Sequence, residues 1–336
     1  MPGPRKRTTL REVAEATGLS TAAVSYALRG QHVSKETEER VRRAAEELGY
    51  EADPIARALA SGRTSMVGVV AGDLSDLWQQ RLSTAIGREL LAHDRYALIL
   101  DAGGDPEREL KLARQLRDQR VDGLVVSPLD PSAEGWAQLA EALPVVSVGD
   151  SLSCAKRTAG EVLFDNRAGI DTVLEYLKGR GHRRIAVLTP TARATPDRPA
   201  DVYVQEAAQR LGLEARMLPC PQALPEATAV ARGVLADGER PSAVFCFSDS
   251  IAYGVYAAVR ELSLWVGQDV SVVGYDDHPV SQLLTPALTS VGWDRQEIVA
   301  AASGLVLAAI DGKRVRRKRE VVVPRLYERE SVAEVN

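Results

Sequence analysis

From Met66 onward, short apolar runs alternate with intervals of helical period, and this alternation narrows the possible folds more than any other feature of the chain. The runs are MVGVVAG, YALIL, DGLVVS, PVVSVG, RIAVLT, SAVFCFS, VSVVGYD, LTSV and EVVVP. A strand, a helix and another strand in repeated succession bury both faces of a parallel sheet, so the pattern predicts a doubly wound α/β architecture. Nine runs are many for one sheet. Two smaller lobes with a cleft between them accommodate them better, and the boundaries expected are about 64–161 with 293–321 for one lobe and about 162–292 with 322–336 for the other.

The residues before Met66 follow a different grammar. Thr9 and Glu12 have capping-box spacing, with Leu10, Val13 and Ala14 as the inward face of a first helix. Gly18 supplies a turn. Ser20 caps a second helix with Val24 and Leu28 inward and Gly30 as its stop, and Ser34 starts a third with Val41, Ala44, Ala45 and Leu48 on one stripe. Three short helices joined by a glycine-containing turn make a helix-turn-helix plan, in which the second helix enters the major groove of DNA. Its exposed candidates are Thr21, Ala22, Ser25 and Tyr26, small or hydroxylic side chains that let a helix sit deep against base edges.

Charge is consistent with that assignment despite a net charge of −4. Residues 1–63 carry 11 Lys/Arg against 9 Asp/Glu, and the rest carries 31 against 37. No acidic residue occurs from Ala16 to Lys35, and Arg5, Lys6, Arg7 and Arg11 cluster just before, so this surface approaches phosphates without repulsion. Taken on charge alone, the same residues equally describe a basic tail and an ordinary solvated helix.

Several classes lose their support. The three cysteines, Cys154, Cys220 and Cys246, are odd in number and widely separated, and the four histidines have no metal-ligand spacing. No metal or other cofactor is expected. The chain has no G-x-G-x-x-G after its first strand, no P-loop and no G-x-S-x-G elbow, so it is not read as an enzyme. No apolar run approaches the roughly 18 residues of a membrane span, and a cytoplasmic protein is expected.

Between the two regions lies EADPIARALASGRTS, Glu51 to Ser65, where Asp53 is an N-cap candidate and Pro54 suits the first helical position. A helix this short is marginal in water and should order only when something packs on it. Leu59 either wedges between base steps in a minor groove or packs on the following domain.

Taken together, TLREVAEATGLS, AVSYALRG, VSKETEERVRRAAEELGY, DPIARALASGRTSMVGVV, VDGLVVSP, FDNRAG, GRGHRRIAVL, SDSIAYG, DVSVVGYDD, TPALTSV and PRLYERES give the chain a resemblance to the LacI/GalR family of transcriptional regulators over essentially its whole length. The resemblance implies a helix-turn-helix headpiece (1–51), a hinge helix (52–63) and a periplasmic-binding-protein-like core (64–336). It also implies a homodimer, or a dimer of dimers, on a near-palindromic double-stranded operator, released or recruited by a sugar-like small molecule. Residue by residue, it assigns base choice to Thr21, Ala22 and Tyr26, contacts with phosphates or flanking bases to Thr9, Ser25 and His32, a backbone position to Arg57, and the minor-groove wedge to Leu59. Two departures stand out: Ala23 replaces a common Thr, and Tyr26 stands where Arg is frequent, removing a bidentate guanine contact.

Ligands in open α/β sheets gather at the carboxyl ends of strands. Asp73 and Trp78 follow the first strand, Asp150 the fourth, Ser248 and Asp249 the sixth, and Asp276 the seventh. Asp276 matches a position that binds sugar hydroxyls in the family, and a Trp face suits a polyol. Asp249 equally suits a helix cap, and Trp78 the core. Asp165 and Asn166 are expected to cap the helix entering the second lobe, and His182 to be structural. In TPTARATPDRPADVYVQEAAQRLG, Arg193 or Arg198 is the family's ligand arginine, but the glycine expected nearby is absent, which leaves room for another ligand, a phosphorylated one, or none. The reading is therefore a repressor under effector control, with a ligand-independent architectural DNA-binding protein and a sugar- or nucleoside-processing enzyme as alternatives.

Overall fold

At the amino end, Thr9 N donates to Glu12 Oε2 at 2.6 Å and Glu12 N donates back to Thr9 Oγ at 3.4 Å, a reciprocal cap that starts α1 (Leu10–Thr17). Gly18, in the left-handed region at φ 65°, ends it and turns the chain into α2 (Thr21–Leu28), where Ser20 Oγ accepts from Ala23 N at 3.1 Å. Ser34 caps α3 (Lys35–Glu47). Val13, Ala14, Val24, Ala27, Val41 and Ala45 close a small shared core. The sequence reading is corrected in two places. Ala27, at i+3 from Val24, is the second buried residue of α2, and Leu28 packs against the core while only partly buried. Leu48 caps α3 beyond its last turn, off the buried stripe, and is 40% exposed.

The computed structural model describes residues 8–28, 30, 33–50, 63–190, 200–314 and 318–335, and the chain divides into two units, Met1–Thr64 and Ser65–Asn336. The second unit holds two six-stranded sheets. The first is built from β1 (Met66–Ala71), β2 (Tyr96–Asp101), β3 (Gly123–Val126), β4 (Val145–Gly149), β5 (Gly160–Phe164) and β11 (Arg319–Val322), in the order β11-β5-β4-β3-β1-β2 and parallel throughout. The other contains β6 (Arg184–Thr189), β7 (Glu214–Pro219), β8 (Ala243–Cys246), β9 (Ser271–Tyr275), β10 (Thr289–Gly292) and β12 (Arg325–Tyr327), in the order β12-β10-β9-β8-β6-β7, with only the β10–β12 pair antiparallel.

Helices cross over between strands: α4 (Leu77–Ala92), α5 (Pro106–Asp118) and α6 (Gly135–Ala142) in the first lobe, and α7 (Asn166–Gly179), α8 (Ala200–Leu211), α9 (Leu224–Leu235) and α10 (Asp249–Glu261) in the second. A further helix, α11 (Arg295–Ile310), follows β10 but packs back on α4, β3, β4 and β5 of the first lobe. The chain thus crosses between lobes after Phe164, after Gly292 and at Val323–Pro324.

Strands β5, β7 and β12 were not among the nine expected runs. In β7 the sheet-edge position leaves Glu214 and Arg216 in the pattern, and β12 has only three residues; β5 opens on Gly160 and a charged Glu161 that Arg319 pairs at 3.0 Å. Asp165 Oδ1 accepts from Ala168 N at 3.0 Å, capping α7 as expected, and His182 is buried against Ser242 at 2.9 Å. Among the described residues, no helix is long and apolar enough to cross a membrane.

Candidate nucleic-acid and effector sites

On α2 the inward residues Val24 and Ala27 leave Thr21, Ala22 and Tyr26 exposed and Ser25 half-buried on the opposite side. That side carries no acidic residue, and its width comes from one large side chain, Tyr26, 42% exposed, beside small ones. Such a face enters a groove without carboxylate repulsion and can donate and accept hydrogen bonds. Thr9 sits at the start of α1 with its hydroxyl already engaged with Glu12. His32, Arg57 and Leu59 lie outside the described residues.

In the second unit the strand order reverses between β1 and β3 in one sheet and between β6 and β8 in the other. A cavity of about 290 Å3 lies where the segments after β1, β9 and β10 meet β12, lined by Trp78, Arg81, Asp276, Asp277, Trp293 and Arg295, with Asp294, Gln296, Arg325 and Tyr327 completing it. Asp276 and Trp78 are therefore brought together. Trp78 meets Phe164 edge to face at 5.3 Å, Phe164 stacks on Trp293 at 4.6 Å, and Trp293 meets Tyr275 at 5.8 Å, so an aromatic wall runs from one lobe to the other. Beyond it, Phe247 stacks on Tyr275.

Asp276 follows β9 at φ 103°. Among the described residues its carboxyl accepts no hydrogen bond, and burial, reinforced by the negative charges of Asp76 and Asp249, pushes its pKa well above the usual carboxylate range. Asp76 is the buried N-cap of α4, accepting from Trp78 N at 2.7 Å, and burial raises its pKa too. Asp277, next to Asp276, is committed to Arg329 by a 2.6 Å ion pair.

Other expected ligand residues are engaged elsewhere. Ser248 is the N-cap of α10, its Oγ accepting from Ile251 N at 3.2 Å, and it is buried. Asp73 Oδ1 closes its own loop on Ser75 N and Oγ at 2.8 and 2.6 Å, and neither Asp73 nor Asp150 lines the cavity. Arg193 and Arg198 lie outside the described residues. Asp249 does not cap α10: it is buried and accepts from Ser281 Oγ, Ser290 Oγ and His278 N at 2.6–2.7 Å, tying the helix start to the loop after β9.

The cavity also contains residues that the sequence reading passed over. Arg81 lies three residues beyond Trp78 on α4, the helical spacing that places it on the same face. Trp293 and Arg295 directly follow β10, so the strand-end rule applied to the eighth apolar run would have found them. Among the described residues, no group of three or more His, Cys, Asp or Glu could hold a metal ion.

A helix-turn-helix unit and a two-lobed α/β receptor core on one chain define a class of protein: a DNA-binding transcriptional regulator under small-molecule control. The comparisons agree. Residues 9–53 match the bacterial regulatory proteins of the lacI family and residues 174–332 the periplasmic binding protein-like domain. Residues 9–53 thus carry a LacI-family DNA-binding domain, and the whole chain is similar to transcriptional repressors of that family. It is 27% identical to the HTH-type transcriptional repressor PurR of Vibrio atlanticus, covering 98% of this chain and 99% of that one. To the ribose operon repressor of Escherichia coli it is 28% identical, over 96% and 99% of the two chains. Among solved structures, the Lac repressor dimer bound to operator and the anti-inducer ONPF superposes with a TM-score of 0.84 at 24% identity, covering 98% and 100% of the two chains. The transcriptional regulator CelR in its cellobiose complex gives 0.68 at 27%, covering 97% and 100%.

Proposed function

We propose that the chain represses transcription as a homodimer on a near-palindromic operator, with α2 in the major groove of each half-site, and that a polyhydroxylated small molecule in the interlobe cavity sets its affinity for DNA. The observation that carries the DNA half is the outward row Thr21, Ala22, Ser25 and Tyr26 opposite the buried Val24 and Ala27. In this reading Thr21, Ala22 and Tyr26 meet base edges, and Ser25 and Thr9 meet the backbone or flanking bases. Phosphate contacts fix register, and base contacts choose the sequence.

The effector half rests on Asp276 and Trp78 lining one cavity. A carboxyl without an internal partner, beside aromatic faces, suits sugar hydroxyls: it hydrogen-bonds the edge of a ring whose apolar face packs on indole. Headpiece 1–51, connecting segment 52–63 and two-lobed core 64–336 are the working divisions. A ligand that binds two lobe arrangements unequally needs to contribute only about 1–3 kcal/mol of coupling to change operator affinity 5- to 150-fold.

Selection of bound duplexes from a random library at one fixed, near-physiological salt concentration tests this reading. Enrichment of a palindrome with two half-sites is the expected result. Recovery of unrelated sequences held only by salt-sensitive contacts would overturn it in favour of a ligand-independent architectural DNA-binding protein.

A further inference from the structure

The cavity that takes the effector in the preceding reading has an unbalanced set of charges. Arg81, Arg295 and Arg325 all line it, and among the described residues none of the three has an ion pair or a side-chain hydrogen bond. The anions beside them are already engaged. Asp277 is locked to Arg329 at 2.6 Å, in a pair of which 17% and 15% is exposed, and Asp294 Oδ1 accepts from Glu297 N as the cap of α11. Asp276 is held toward its neutral form by burial and by Asp76.

Arg81 itself and one further group, His278, register the nearby positive charge. Burial is the main cause that lowers the pKa of Arg81 and the guanidinium of Arg295 is the next, against an opposing pull from Asp277, so these two cations lie close enough to repel. The His278 imidazole is lowered by burial and then by Arg81 and Arg295. Like charges in a partly desolvated cleft repel unless something of opposite sign enters. Arg81 comes from α4 of the first lobe, Arg295 is the first residue of α11, and Arg325 comes from β12 of the second sheet. An anion held by all three would therefore touch both lobes.

We infer that the effector of this chain is a sugar-sized molecule carrying an anionic group, a phosphate or a carboxylate, which Arg81, Arg295 and Arg325 receive while Asp276 and the aromatic wall of Trp78 and Trp293 take its ring. This inference rests on the effector reading above and adds the charge of the ligand. Guanidinium groups suit either anion because their planar forks donate two parallel hydrogen bonds. A neutral sugar would leave the half-buried Arg81 and Arg295 and the exposed Arg325 without partners.

The test is thermal melting and tryptophan-fluorescence titration of the full chain with paired probes at constant ionic strength: ribose and ribose 5-phosphate, glucose and glucose 6-phosphate, and glucuronate as the carboxylate arm, with sodium sulfate as control. The phosphorylated or carboxylated member of a pair should bind at least about tenfold more tightly than its neutral counterpart, and Arg81→Gln and Arg295→Gln should each weaken it by about tenfold or more. Both changes should weaken the anionic member of a pair far more than its neutral counterpart, so that the difference between the two narrows. A larger response to glucuronate than to the phosphates assigns the anion as carboxylate, and the reverse as phosphate. Binding of neutral sugars with no gain from the anionic group overturns the inference and leaves the effector reading standing. Stabilisation no greater than that by sulfate, or no stabilisation at all, also overturns it. Operator binding by the same samples, measured by gel retardation without any probe, reports on the repressor reading separately.

Discussion

Phe164 and Trp293 lie ring on ring, 4.6 Å between centroids and 26° from parallel, at two of the points where the chain passes between lobes. Phe164 ends β5, just before Asp165 caps α7 of the second lobe; Trp293 ends the passage from β10 to α11, which returns to the first. The stack therefore sits where any hinge motion of the lobes must act. Trp78 and Tyr275 extend it on either side, and the buried cluster around it is continuous from Leu82 and Val146 to Ile170 and Phe245.

Replacing Trp293 by Ala should cost about 3–5 kcal/mol of stability, the range for deleting a buried large aromatic side chain. Trp293→Phe keeps the stack and should recover most of that loss, with a residual of order 1 kcal/mol. Urea denaturation of the three proteins checks this. Equal stability of the Ala variant and the wild type would mean that the lobes are held together elsewhere.

Asp249 gives the protein a pH dependence of calculable sign. Burial pushes its carboxyl up to about 6, although Ser281, Ser290 and the His278 amide all donate to it. Because the folded pKa lies above the unfolded value near 3.8, the native state holds a proton that the unfolded state has released. The stabilisation from this group is present below about pH 4 and is lost as pH rises through about 6, amounting to roughly 3 kcal/mol. Asp249→Asn can keep the network, with its amide donating to Ser290 Oγ, and should remove this slope. The check is the unfolding free energy of both proteins between pH 4 and 7: the variant should gain on the wild type across that window.

The same carboxylate explains why β9 carries Gly274. A Cβ built there would collide with Asp249 Oδ1 and fall 2.9 Å from Leu288 Cδ2, and the buried Asp249 is anchored by three donors. Gly274→Ala should therefore be destabilising by about 1–3 kcal/mol, the usual cost of overpacking, although the added methyl is small. Paired with Asp249→Ala in a double-mutant cycle, the two changes should be non-additive by more than ~0.5 kcal/mol, because removing the carboxylate vacates the space that the added methyl enters.

How far the molecule was legible in its sequence depends on where information is local. Caps and turns were: Thr9–Glu12, Gly18, Ser34 and Asp165 do what their spacing suggests, because capping is a contact between residues three apart. Asp276 and Trp78 were found from strand ends. Ser248 and Asp73 were placed by the same rule yet are engaged by their own helix and loop, since a short polar side chain at a strand end serves a cap as readily as a ligand. The charge of the cleft was not legible. Arg81 lies more than two hundred residues before Arg295 and Arg325, and only the fold shows that Asp277 pairs with Arg329 and that Asp294, next to Arg295 in sequence, caps a helix.

For the headpiece, the informative comparison is between two residues of α2. Val24 is fully buried and Tyr26 is 42% exposed, so changes at these positions act on different quantities. Tyr26→Ala should leave the melting of the headpiece within about 0.5 kcal/mol. It should also weaken binding to the selected operator by about 1–3 kcal/mol and relax the preference at one base pair in each half-site. Val24→Ala should lower headpiece stability by opening a cavity in a core of six small residues, and weaken every sequence alike. Titrations against operator and single-base variants at two salt concentrations separate the cases. A base contact changes the sequence ratio with little effect on the salt slope, whereas a lost phosphate contact reduces the slope by about one. If Tyr26→Ala changed only the slope, Tyr26 would be a backbone contact, and base choice at that position would fall to Thr21 and Ala22.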